Sequence, residues 1–169
     1  MSVVHSGSRP HFLTASVLAL LMLVVILSAL ALEHIWGYVP CELCLKERWP
    51  YYIGIPVAVL AAVSSAFDLP PLVTRGLLGL LVIIMLAGAG LSIYHAGVEW
   101  KFWEGPSSCT TSIDSVAKNT NDLLSDLSTQ HGPSCSEAAL RVFGLSLSGW
   151  NVIASLLFAA IALRGARKL

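Results

Sequence analysis

Apolar positions in this chain are gathered into four runs, Phe12–Leu32, Tyr51–Phe67, Gly76–Val98 and Leu145–Leu163, with polar residues concentrated between them. A helix needs ~20 residues (range ~17–25) to cross a bilayer, and each run is long enough or nearly so. The first carries no charge. Its Ala29-Leu30-Ala31 imitates a signal-peptidase site, but the run exceeds the ~7–15 residues of a signal h-region, so it reads as a retained span. The second is short unless its helix begins upstream, which puts the span at about 45–67 and leaves Pro50 inside it, where it should bend or loosen the helix. The pattern predicts an all-α membrane protein, a single integral domain over residues 1–169 built as a four-helix bundle, with spans near 12–32, 45–67, 76–98 and 145–163.

Four spans place both termini on one side. Two loops lie on the other, 33–44 and the longer 99–144. In the longer loop, Ile113, Val116, Leu123, Leu124 and Leu127 are spaced for a short amphipathic surface helix. Ser134-x-x-Glu137 reads as a capping box, with Cys135 at the first helical position, where the helix end would favour its thiolate.

Composition agrees with the pattern: 56% of residues are hydrophobic and 12% charged, against about 25% charged in soluble domains. The net charge is zero and no basic run stands out, so nucleic acid is not an expected partner. Lys and Arg do not orient the chain, with five on the termini's side (Arg9, Arg75, Arg164, Arg167, Lys168) and five on the other (Lys46, Arg48, Lys101, Lys118, Arg141). The C-terminal basic cluster leans towards cytoplasmic termini. The cysteines decide it. All four, Cys41, Cys44, Cys109 and Cys135, fall in the two loops or at their edges, and disulfides persist in oxidising compartments. The five Trp and four Tyr also gather near that side, either as an outer aromatic platform or as interfacial anchors.

The densest chemistry is Pro40-Cys41-Glu42-Leu43-Cys44-Leu45-Lys46-Glu47-Arg48. On one helix, Cys41, Cys44 and Arg48 stand at i, i+3 and i+7, a single face, so a permanent cation would lie one turn beyond Cys44. A nearby cation lowers a thiol's pKa, and Pro40 would start the helix so that Cys41 meets its positive end. Lys46 and Glu47 point off that face as ordinary interface charges. Three readings of the cysteines compete. Zinc would need all four thiols, but Cys109 and Cys135 are far apart in sequence and the compartment is oxidising, so no metal is expected. A structural Cys41–Cys44 disulfide closes too short a loop to stabilise much. A redox dithiol is favoured. A Cys109–Cys135 bridge could staple its loop or exchange with the first pair. His95, near the outer end of the third span, is either a wetted interfacial histidine or a site residue able to hydrogen-bond a cofactor carbonyl.

At these residues the chain resembles the DsbB family of bacterial inner-membrane thiol oxidases. The resemblance rests on four spans, the Cys41-x-x-Cys44-x-x-x-Arg48 motif, two cysteines in the second outer loop, and Phe143-Gly144-Leu145 with Trp150 at the entry into the last span. It implies a multi-pass protein of the inner membrane with cytoplasmic termini and periplasmic cysteine loops. It implies disulfides Cys41–Cys44 and Cys109–Cys135, a periplasmic thioredoxin-like DsbA-type partner that attacks Cys109 and releases Cys135, and transfer of electrons to the Cys41–Cys44 pair. Cys41 would be the attacked sulfur and Cys44 the thiol that donates to a membrane quinone, ubiquinone or menaquinone, with Arg48 stabilising the charge and His95 a second quinone contact. A disulfide-stapled four-span protein without catalysis, and a protein resembling vitamin K epoxide reductase, are the alternatives. In the latter the Cys-x-x-Cys would fall near a late span rather than before the second.

Overall fold

The computed structural model describes residues 8–106 and 135–167. Cys109, Ser134 and the amphipathic segment from Ile113 to Leu127 lie outside the described residues. Helices α1 (Ser8–His34), α3 (Trp49–Ala66), α4 (Pro71–Glu99) and α5 (Leu147–Arg167) alternate with a five-residue helix α2 (Glu42–Lys46) and a two-strand hairpin, β1 (Arg141–Val142) and β2 (Leu145–Ser146). Among the described residues, four helical stretches are long and apolar enough to cross a membrane, α2 and α3 counting together as one. The chain is thus an all-α four-span bundle. The 29 residues of α4 extend about 43 Å at ~1.5 Å per residue, more than the ~30 Å hydrocarbon core. Its polar end therefore reaches the interface, where the site lies.

The expected helix through Cys41, Cys44 and Arg48 is interrupted. Glu47 caps the end of α2, Arg48 precedes α3, and Pro50 sits in the first turn of α3. Proline has no N–H to offer the carbonyl four residues back, so the ladder cannot run through Lys46. The prolyl ring also packs against α4, where Gly88 makes room: a Cβ there would stand 3.1 Å from Pro50 Cβ and Cγ.

α1 packs on α3, α3 on α4 and α4 most extensively on α5, which returns to α1. Lipid is as apolar as leucine, so close fit rather than hydrophobic exclusion holds such helices together. The seams accordingly carry small residues: Ala58, Ala61 and Ala62 on α3, Ala89 on α4, Ala159 and Ala162 on α5, all buried. Gly54 receives Met22 and Met85, and Gly165 receives Thr14. Large side chains such as Leu20, Leu27, Leu60, Ile83 and Leu157 face outward. At the far end from the cysteines, Ser64 and Thr74 join α3 to α4 through a buried hydroxyl pair at 2.8 Å.

At the cysteine end, all five tryptophans, Trp36, Trp49, Trp100, Trp103 and Trp150, are exposed. Beyond α4 the chain folds back, and Trp103 donates its indole N–H to the Tyr94 carbonyl at 2.8 Å and stacks on the Tyr94 ring. The β1–β2 hairpin turns through Phe143 (φ 52) and Gly144 (φ 82). Positive φ at both central residues is what a tight two-residue hairpin requires. Trp150 pins the hairpin to α5 by donating to the Val142 carbonyl at 3.0 Å. The capping-box expectation is corrected here: residues 135–137 form turns rather than a helix start. Cys135 is instead fully buried, in a cluster with Cys41, Leu43 and Val98.

Candidate functional site

Cys41 is the N-cap of α2, extended at φ −73 and ψ 170, and its Sγ accepts the Cys44 N–H at 3.2 Å. It therefore occupies the position just before the helix, where a side-chain acceptor satisfies an otherwise orphaned N–H. Cys41 is buried and Cys44 partly exposed; both are free thiols, with their sulfurs 2.7 Å apart. The third neighbour comes from α4: His95 Nε2 lies 3.6 Å from Cys41 Sγ. Together these groups draw the Cys41 thiol from its ordinary 9.0 down to about 4. The hydrogen bond with Cys44 contributes most. Burial opposes it, while the His95 ring and the Cys44 N–H add to the lowering.

His95 is buried on the inward stripe of α4, which runs Thr74, Leu78, Leu81, Met85, Ser92, His95 and Glu99 at helical spacing. Its Nδ1 meets Glu47 Oε1 at 2.7 Å, and its Nε2 is 3.8 Å from Glu99 Oε1. Glu47 Oε2 accepts from Asn151 Nδ2 at 3.1 Å, which also reaches Ser92 Oγ at 2.7 Å. Tyr51 donates to Asn151 Oδ1 through a short hydrogen bond. Glu99 accepts from Ser148 at 2.7 Å. A network of residues from α3, α4 and α5, with Glu47 beside them, thus closes around one imidazole.

Glu47 was expected to be an interface charge and is instead buried at 8% exposure. The spacing already allowed it, since Glu47 follows Cys44 by three residues, the same step that joins Cys41 to Cys44, and hydrogen bonds with His95 and Asn151 offset the cost of its burial. The sequence offered a second clue in Ser92, His95 and Glu99, at i, i+3 and i+7 on one face of an apolar helix, where polar groups are costly unless paired. Arg48 also departs from the simple register. It donates from Nη1 to Glu33 Oε2 at 2.6 Å rather than to a cysteine, and its side chain is only 12% exposed.

Cys41, Cys44, Arg48 and His95 nevertheless line one cavity of about 650 Å³. Val25, Ala29 and Leu32 of α1 with Leu147 and Ala154 of α5 supply its apolar walls, and Glu47 and Asn151 join the polar end. A cavity of this kind, in the ~300–1,000 Å³ range with a few convergent polar groups, is the usual form of a small-molecule site. Cys135 takes part in a disulfide; Cys109, its expected partner, lies outside the described residues.

The family profile "Disulfide bond formation protein DsbB" matches residues 11–164. The chain belongs to the DsbB family. Disulfide bond formation protein B 2 of Pseudomonas putida is 31% identical over 92% of this chain and 88% of its own length. Disulfide bond formation protein B 1 of Pseudomonas fluorescens is 30% identical, over 89% and 85%. Disulfide bond formation protein B of Saccharophagus degradans is 28% identical, over 85% and 86%. No solved structure matches the chain. DsbB membership with four apolar helices makes this a multi-pass inner-membrane protein of disulfide bond formation, with the oxidoreductase chemistry that process requires.

Proposed function

We propose that this DsbB protein reoxidises a periplasmic thioredoxin-like dithiol carrier and passes the electrons through two cysteine pairs to a membrane quinone, with its termini in the cytoplasm. The observation that carries the reading is the position of the Cys41–Cys44 pair. It sits against an imidazole, at the polar end of an apolar cavity of about 650 Å³ reached from α1 and α5. Those walls suit a flat lipid-soluble ring, and Arg48, His95 and Asn151 suit its carbonyl oxygens. Such a quinone, when bound, supplies an acceptor for two electrons and two protons.

The chain's own residues handle sulfur and protons. The reduced carrier attacks the Cys109–Cys135 disulfide at Cys109, forming a mixed disulfide and freeing Cys135. The carrier's second thiol then displaces Cys109, leaving the carrier oxidised and this pair reduced by two electrons. Cys135 next attacks Cys41, the Cys41–Cys44 bond breaks, and Cys44 leaves. Cys109 resolves the new bond, so the electron pair ends on Cys41 and Cys44. Burial of Cys135 in one cluster with Cys41 supports that handover. His95 Nε2 faces the Cys41 sulfur, where it can hold or release a thiol proton, while Glu47 fixes the ring from its other nitrogen. Arg48, neutralised by Glu33 at rest, is the cation nearest the cavity's polar end.

The test is catalytic oxidation of a reduced periplasmic dithiol carrier by purified protein plus ubiquinone or menaquinone. In parallel, a carrier whose second thiol is replaced by serine should remain trapped on Cys109 of the oxidised wild-type chain, recoverable after acid quench. Absence of both turnover and a trapped carrier refutes the electron path. Modification of Cys44 by a membrane-impermeant thiol reagent only from the cytoplasmic side refutes the orientation.

A further inference from the structure

The Cys41–Cys44–His95 cluster has a property that thiol exchange does not require. Two sulfurs and one imidazole nitrogen, contributed by the α2 cap and by α4, all lie within 4.8 Å of one another. Zinc–sulfur bonds of ~2.3 Å and zinc–nitrogen bonds of ~2.0–2.1 Å put ligands about 3.5–3.8 Å apart around a tetrahedral ion. Cys41 Sγ and His95 Nε2, at 3.6 Å, already meet that spacing. Cys44, partly exposed, has to withdraw its sulfur from 2.7 Å by roughly one ångström, a side-chain rotation at the open edge of the cavity.

The imidazole is also held as a metal ligand is held. Glu47 Oε1 binds Nδ1 at 2.7 Å, so Nδ1 keeps its proton while Nε2, giving up its own as the ion binds, turns a lone pair to the metal. A carboxylate behind a histidine in this way fixes the tautomer and strengthens the ligand. Glu99 Oε1 stands 3.8 Å from Nε2 and adds negative charge beside the cluster. We infer that the dithiol form of this chain binds one thiophilic divalent cation, of the zinc or cadmium class, between Cys41 Sγ, Cys44 Sγ and His95 Nε2. This ligand set differs from a four-cysteine site and needs neither Cys109 nor Cys135. Binding releases to solvent the protons held on the two sulfurs and on Nε2, and changes no oxidation state. While both sulfurs hold the ion they cannot bond to each other, so the metal arrests the protein in its reduced form.

The experiment uses the full-length chain in detergent, reduced with a phosphine and freed of small thiols, with cadmium or zinc ions alone as probe. Because it involves neither carrier nor quinone, its outcome is independent of the proposed electron path. The expected result is one cadmium per chain with a thiolate-to-cadmium ultraviolet band, kept by Cys109→Ser/Cys135→Ser and absent when the Cys41–Cys44 pair is oxidised beforehand. Glu47→Gln should weaken zinc affinity by about 10–100-fold, the usual effect of removing such a supporting carboxylate, and His95→Gln by at least as much. Circular dichroism of each variant checks that the helices persist. No band in the reduced wild-type chain, a band undiminished by Cys41→Ser, or affinity unchanged in both Glu47→Gln and His95→Gln would each overturn the inference.

Discussion

Replacing His95 by glutamine isolates what the imidazole does for Cys41. Glutamine keeps an N–H donor for Glu47, so the buried carboxylate is not stranded, but it removes the ring nitrogen 3.6 Å from Cys41 Sγ. A hydrogen bond to a charged group is worth about 1.5–3 kcal/mol. One pKa unit corresponds to ~1.36 kcal/mol, so loss of this contact should raise the Cys41 thiol by about 1–2 units. The starting point is about 4, and the Cys44 contacts remain, so the variant should still titrate below an ordinary thiol. The assay is the pH dependence of Cys41 alkylation in reduced protein, with the modified residue mapped by mass spectrometry. A midpoint that does not move in a folded variant would refute the claim that His95 acts on Cys41.

The same lowering has a consequence for stability. A thiol at about 4 in the folded reduced protein and 9.0 when unfolded stabilises fully above 9.0, and that contribution fades as pH falls towards 4. Reduced protein should thus melt progressively lower from pH 9 to pH 5, with Cys41→Ser flattening the trend. Arg48→Gln should slow quinone-dependent turnover by about 10–100-fold, the equivalent of one ~1.5–3 kcal/mol charged hydrogen bond, while all four cysteines still oxidise; wild-type turnover would contradict the role given to the guanidinium. Gly88→Ala drives a methyl to 3.1 Å from the stiff Pro50 ring and should cost about 1–3 kcal/mol by overpacking, read as a lower melting midpoint. Gly97→Ala drives a Cβ into the Trp103 indole and should shift tryptophan fluorescence, because the indole must leave Tyr94.

The bundle was legible because four apolar runs with so few charges have few other soluble or membrane solutions. The one-sided gathering of cysteines and tryptophans was equally plain. Glu47 was legible only in part: it follows Cys44 by the same three-residue step that joins Cys41 to Cys44, but its burial depends on His95 reaching it from α4. Glu33 as the partner of Arg48 was also out of reach, because it depends on how α1 lies beside α3. Cys135 shows a third limit: a capping-box pattern fits a turn as readily as a helix start, and burial against Cys41 and Val98 is a long-range outcome.

One stripe of α4 carries both the steric fit of the bundle and the ring that touches Cys41. Rolling this rod by a single position, ~100°, would empty the pocket at Met85 and aim the imidazole at acyl chains in the same motion. Substitutions that loosen the lower half of the rod therefore perturb sulfur reactivity at its top without touching a sulfur. The alignment of catalyst and scaffold is one mechanical quantity, and selection on either constrains the other.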